Sequence, residues 1–78
     1  MNPRVKNAKV ISNNQLEIEF TNNEKGIFDI SKYLNIGIFK ELQYIDKLSD
    51  FKIVYGTIEW SNGADLCPDT IYLESIKN

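Results

Sequence analysis

Cys67 is the sole cysteine of the chain and the first side chain to weigh as a nucleophile. A reactive thiolate needs a lowered pKa, usually from an adjacent base or cation, and the chain has no histidine to supply one. A helix starting at Pro68 would lower it only modestly, so Cys67 is expected to be a small, partly buried apolar residue. Glu59, Asp65 and Asp69 could converge near Asn62-Gly63, and grouped carboxylates serve acid–base chemistry or hard-cation binding. Their spacing matches no calcium loop, however. Asp69 is explained as a favourable charge in a first helical turn, and Glu59 as the solvent face of a strand. One cysteine and no histidine cannot assemble the usual four-ligand zinc set. With no phosphate loop either, the residues point to a noncatalytic chain with no metal or cofactor.

Binding chemistry has better candidates. Arg4, Lys6 and Lys9 form the only basic cluster and interleave with Val5, Ala8 and Val10, a pattern able to contact a nucleic-acid backbone. Lysines on an edge strand also guard against sheet-to-sheet aggregation, which explains them without a ligand. The net charge of −2 argues against strong nonspecific attraction to phosphates. Charge is nevertheless uneven: residues 1–40 carry six Lys/Arg against four Asp/Glu, and residues 41–78 carry three against seven. Tyr33, Tyr44, Tyr55 and Tyr72 lack the clustered spacing of an RNA-stacking motif. Trp60, before Ser61-Asn62-Gly63, is either a core lid or a recognition anchor, and in so small a core burial is favoured. Trp60, Asn62, Asp65 and Tyr72 together make the candidate interaction surface.

These residues must be positioned by few elements. Gln15-Leu16-Glu17-Ile18-Glu19-Phe20 alternates without a break, which predicts a half-buried antiparallel strand. Val5 to Ile11 precedes it as a strand, joined through the turn residues Ser12-Asn13-Asn14. Thr21 to Gly26 repeats the turn chemistry before a third strand over Ile27-Phe28-Asp29-Ile30. Asp29 or Ser31 can accept from free amides at a helix start, predicting a helical turn through Lys32-Tyr33-Leu34 that Gly37 interrupts. Ile38, Leu42 and Ile45, with Phe39, form an apolar stripe that predicts a short helix over about 36–43. Phe51–Tyr55 and Thr57–Trp60 read as two further strands about a bend at Gly56. Asn62-Gly63 predicts a tight primed turn with positive φ at both residues, followed by a brief edge segment at Ala64-Asp65-Leu66. Pro68 suits the first position of a closing helix that reaches about Ile76. Strands followed by segregated helices predict a single two-layer α+β domain over 1–78, an antiparallel sheet of about five strands with short helices on one face.

At 78 residues the chain suits one domain, and its composition, 42% hydrophobic and 26% charged, is that of a folded protein. A secreted chain this small would be expected to carry disulfides, and the N-terminus has no apolar signal core, so a cytoplasmic home is expected. No stretch is apolar enough for a membrane span.

The stretch from Gly56 through Trp60-Ser61-Asn62-Gly63-Ala64-Asp65-Leu66 to Tyr72 resembles the C-terminal signature of domain of unknown function family 2442. Phe28-Asp29-Ile30 with the Leu34 and Leu42 segments resembles that family's central motif, and Leu16–Phe20 its second strand. Ser61 and Cys67 depart from the proline and the small residue that the family pattern would place there. The resemblance implies a compact bacterial α+β domain, sometimes encoded beside a second small protein and sometimes joined to a helix-turn-helix segment. With 78 residues, no such DNA-binding extension is expected here. No activity or catalytic residue comes with the family. The expectation is a protein-interaction or regulatory module, the antitoxin-like half of a two-gene pair, that binds a small cognate protein. The alternative is a nucleic-acid-associated regulator using Arg4, Lys6 and Lys9.

Overall fold

A computed structural model describes residues 2–77. Its first three strands, β1 (Val5–Ser12), β2 (Gln15–Phe20) and β3 (Lys25–Asp29), form the antiparallel meander that the alternation predicts. Leu16, Ile18 and Phe20 of β2 are fully buried, while Glu17 and Glu19 lie on the opposite face. Ala8 pairs with Ile18 and Ile18 with Gly26; one step along, Lys9 pairs with Glu17 and Glu17 with Ile27. Register shifts between Val5 and Asn7 and between Val10 and Ser12 mark irregularities that bracket the regular stretch of β1.

After β3, the Asp29 carboxylate accepts the Ser31 N–H at 2.8 Å and opens a short 3₁₀ turn, Ser31–Tyr33. The helix expected over about 36–43 is a 3₁₀ helix, Gly37–Gln43. Three residues per turn redraws its apolar stripe. Phe39 and Leu42 pack into the core, whereas Ile38 and Ile45, expected there, are each 48% exposed. A single-turn helix, α1 (Ile45–Leu48), not anticipated from the sequence, buries Leu48.

Among the described residues, the strands β4 (Phe51–Val54) and β5 (Thr57–Trp60) pair as strands with each other alone. Between them Tyr55 (φ 52°) and Gly56 (φ 74°) are both left-handed, the signature of a two-residue primed hairpin turn. The chain is therefore α+β as expected, but its strands divide differently from one sheet of about five. One sheet has four strands in the order β1-β2-β3-β6, and the hairpin β4-β5 is a separate two-stranded sheet. This hairpin packs with the helices onto the core face of the larger sheet. The backbone link between the two sheets is Val5 N–H to Gly56 C=O at 2.8 Å.

The closing helix α2 (Pro68–Glu74) begins on Pro68 as expected, with Pro at the start where its missing N–H costs nothing. It stops before Ile76 because Ser75 turns extended (ψ 142°), its Oγ donating to the Ile71 carbonyl at 2.6 Å. Ile76–Lys77 then form β6 against β3, a strand too short to leave a period in the sequence. Gly26 admits it: a Cβ there would lie 3.1 Å from Ser75 Cβ and 3.2 Å from the Ile76 carbonyl oxygen. The core joins Leu16, Ile18, Phe20 and Phe28 of the sheet to Leu42, Leu48, Ile58, Trp60 and Ile71 above it. Each such side chain contributes about 1.5–3 kcal/mol by leaving water. Among the described residues, no helix is long and apolar enough to cross a membrane.

Candidate functional site

The Trp60–Tyr72 signature begins where β5 delivers Trp60 into the core. Trp60 is 1% exposed, its indole N–H donates to the Leu48 carbonyl at 2.9 Å, and Phe39 and Phe51 meet its ring edge-on. As a candidate contact residue Trp60 is thus corrected to a core residue. A buried indole needs a partner for its N–H, and the last turn before β4 supplies it.

The next three residues form a hairpin loop. Gly63 N–H donates to Trp60 C=O at 2.9 Å and Trp60 N–H to Ala64 C=O at 2.8 Å, which closes a three-residue loop with Gly63 left-handed at φ 94°. Asn62 is not left-handed. The expected two-residue primed turn is therefore corrected to a three-residue loop, in which only the last position requires positive φ. Asn62 contributes through its side chain instead. Its Oδ1 accepts the Ala64 N–H at 3.0 Å, and its amide donates to the Ile38 carbonyl at 3.1 Å and to Glu41 at 2.9 Å. Asn62 thereby ties the loop to the 3₁₀ helix.

Asp65 continues the hairpin as an exposed residue bridged antiparallel to Glu59. It does not cap α2: the cap position is Cys67, and no side-chain cap bond forms there. Cys67 itself is exposed, which corrects the partly buried position expected of it. Thr57 holds the segment between them, its Oγ1 donating to the Leu66 carbonyl at 2.6 Å. Asp69 accepts from the Asn2 amide at 3.4 Å, while Glu59 faces Lys52 across the hairpin at 4.0 Å. Among the described residues, no three acidic, His or Cys side chains are close enough to hold a metal ion.

Tyr72 is half-buried, and it latches α2 to the sheet. Its ring meets Phe20 edge-on at 4.9 Å, its hydroxyl donates to Glu24, and the Lys77 ammonium lies 4.2 Å from the ring centroid. The Tyr72 bond, helped by Asn22, holds the Glu24 carboxyl below its ordinary pKa, and the same bond raises the Tyr72 phenol. A second latch holds the same last turn of the helix, two residues on. Tyr33 donates to Glu74 at 2.8 Å, and Lys32 lies 2.8 Å from the same carboxylate, lowering the Glu74 pKa and raising its own. Neither acid was singled out in the sequence. Partnership across 48 or 41 residues leaves no local signal.

The basic trio does not form one uninterrupted patch. Arg4 precedes β1 and its side chain packs against Gly56; Lys6 is exposed at the first irregularity; Lys9 lies 3.5 Å from Glu17. Asn7 donates to Glu19 at 3.2 Å on the same face. What sequence reading missed is Tyr55, 96% exposed at the tip of the β4-β5 hairpin and left-handed. Its signal was the pair Tyr55-Gly56 centred between two strands.

A three-stranded meander extended by β6, capped by an aromatic-rich hairpin, a short helix and a Trp-x-Asn-Gly loop used as structural joinery, defines a small α+β domain whose signature residues maintain the fold. The family model described as protein of unknown function (DUF2442) matches residues 5–77, and the chain belongs to that family. No curated protein and no solved structure matches it.

Proposed function

We propose that this chain is a noncatalytic protein-interaction module. Tyr55 carries the reading. A bulky residue in the left-handed region is held about 1–2 kcal/mol above its relaxed conformation. With 96% of its surface in water, Tyr55 regains nothing of that through packing. Asparagine or glycine would serve the turn better, so the aromatic ring is best understood as a group kept for contact. Tyrosine suits such a role because it brings large area at small entropic cost and is enriched in binding hot spots.

In its finer form the module is the regulatory, antitoxin-like half of a two-gene pair and binds a small cognate protein in the cytoplasm. The test is to recover the tagged chain from its native cells. A stoichiometric companion, lost when Tyr55→Asn replaces the ring without disturbing the turn, is the expected result. Recovery of the chain alone would refute the reading.

A further inference from the structure

Beyond Val5, the backbone of β1 makes hydrogen bonds to β2 and none to any other described backbone group. We infer that this free edge receives an extended segment of another protein in which acidic and branched apolar residues alternate. The inference rests on the interaction-module reading above and names the chemistry of the partner.

The argument comes from the partner β1 already has. Side chains of a strand stand on its two faces, so each edge offers a neighbour the same alternation. On the occupied edge that neighbour is β2. Glu17 lies opposite Lys9, with Nζ and Oε1 3.5 Å apart, and Asn7 donates to Glu19. On the other face Ile18 and Leu16 lie opposite Ala8 and Val10, which pack against the core. A strand added outside β1 meets Lys9 and Asn7 on one face and Ala8 and Val10 on the other. Acidic and apolar residues in alternation satisfy both.

Charge also decides against a second copy. Residues 1–16 contain no Asp or Glu, so pairing β1 with its own copy would set Lys6 and Lys9 against a strand with no counter-charge. The acidic strand that does fit, β2, is enclosed between β1 and β3. Edge lysines and register irregularities are devices that keep like strands apart, and here they leave Asn7–Val10 regular for an unlike one. Nucleic acid fits less well, because an open strand edge offers alternating N–H and C=O groups that match a polypeptide backbone. Tyr55 stands beside the Val5 end of this edge, its neighbour Gly56 bonded to Val5.

The probe is a fluorescent synthetic peptide of the Gln15–Phe20 sequence, titrated into the intact chain. Saturable binding that shifts the amide resonances of Asn7–Val10 is expected. Lys9→Glu should weaken it roughly five- to tenfold, the size of a cross-strand attraction turned into repulsion. A peptide with lysines for both glutamates should bind Lys9→Glu better than the parent protein. N-methylation of alternate peptide amides should abolish binding, since it removes backbone donors without altering side chains. Absence of peptide binding, indifference to N-methylation, or indifference to Lys9→Glu would overturn the inference, as would salt-sensitive binding of a single-stranded oligonucleotide in place of the peptide. A cellular companion held equally well by the Lys9→Glu chain would overturn this edge alone. A chain recovered without any companion would refute the interaction-module reading instead.

Discussion

Asn22 and Asn62 do the same work in two loops of the same geometry. Each side-chain oxygen accepts the N–H of the residue two places on, Glu24 at 3.1 Å and Ala64 at 3.0 Å. Each loop is closed by the same pair of backbone bonds, Phe20 with Asn23 and Glu24 in one, Trp60 with Gly63 and Ala64 in the other. The residue after each asparagine is left-handed, Asn23 at φ 71° and Gly63 at φ 94°. In both loops a buried aromatic residue, Phe20 or Trp60, precedes the turn. The loop therefore fixes where a core ring enters, which is the reason so distinctive a signature can be structural.

Gly63→Val should destabilise the domain by about 2 kcal/mol or more, because a β-branched residue is strained at positive φ. Space is not the obstacle: a Cβ would meet only Ile38 Cδ1, at 3.6 Å. Gly63→Asn should therefore recover most of the loss in a thermal melt. Equal melting of the glycine and valine proteins would contradict the geometry.

Asn62→Ala removes three hydrogen bonds, two that join the loop to the 3₁₀ helix and one, from Ala64 N–H, that closes the loop on itself. Each is partly solvated, so the combined cost should be about 1–2 kcal/mol. Amide hydrogen exchange should accelerate at Ala64 and around Ile38 while the β1–β2 hairpin stays protected. Uniform acceleration across the molecule would mean that the loop is not a separate joint.

Tyr55→Asn is expected to stabilise, by about 1 kcal/mol, since asparagine tolerates the left-handed region that tyrosine resists. For a domain of this size that is a rise of roughly 4–8 °C in Tm. A fall would show that the ring makes contacts within the fold.

The strands were legible where one face is buried. Leu16, Ile18 and Phe20 alternate with glutamates because the pleat demands it, and β2 lies where the pattern puts it. Ile38 misled because an α-helical stripe assumes 3.6 residues per turn and its segment winds with three, and Ile45 because Tyr44 turns extended and Ile45 opens a separate helix. Asn62-Gly63 was read correctly as a turn and wrongly as its type, because Asn-Gly suits the two-residue primed turn and the left-handed corner of a three-residue loop alike. β6 escaped notice since two residues carry no alternation and its place depends on Gly26, distant in sequence. Trp60 was readable as a core residue. Its bond to Leu48 was not, because that depends on where α1 ends.

The latches on α2 give the molecule an acid and an alkaline limit. Glu24, Glu74 and Asp29 all have folded pKa values below their ordinary ones, owing chiefly to the bonds from Tyr72, Lys32 and Ser31 respectively. A depressed carboxyl pKa stabilises the fold above the unfolded value, near 4, and that stability is lost as pH falls through the folded pKa. The Tyr33 and Tyr72 phenols and the Lys32 ammonium are shifted upward, Tyr33 mainly by burial and the other two mainly by their carboxylate partners. Their contribution is present below the unfolded values, near 10, and is lost as pH rises through the folded ones. Tm should therefore be flat near neutrality and decline below about pH 4 and above about pH 10. Glu24→Gln and Glu74→Gln should each lower the plateau and shallow the acid decline, since both carboxylates hold the last turn of α2. An acid limb of unchanged steepness in the double variant would show that the two carboxylates do not hold the helix.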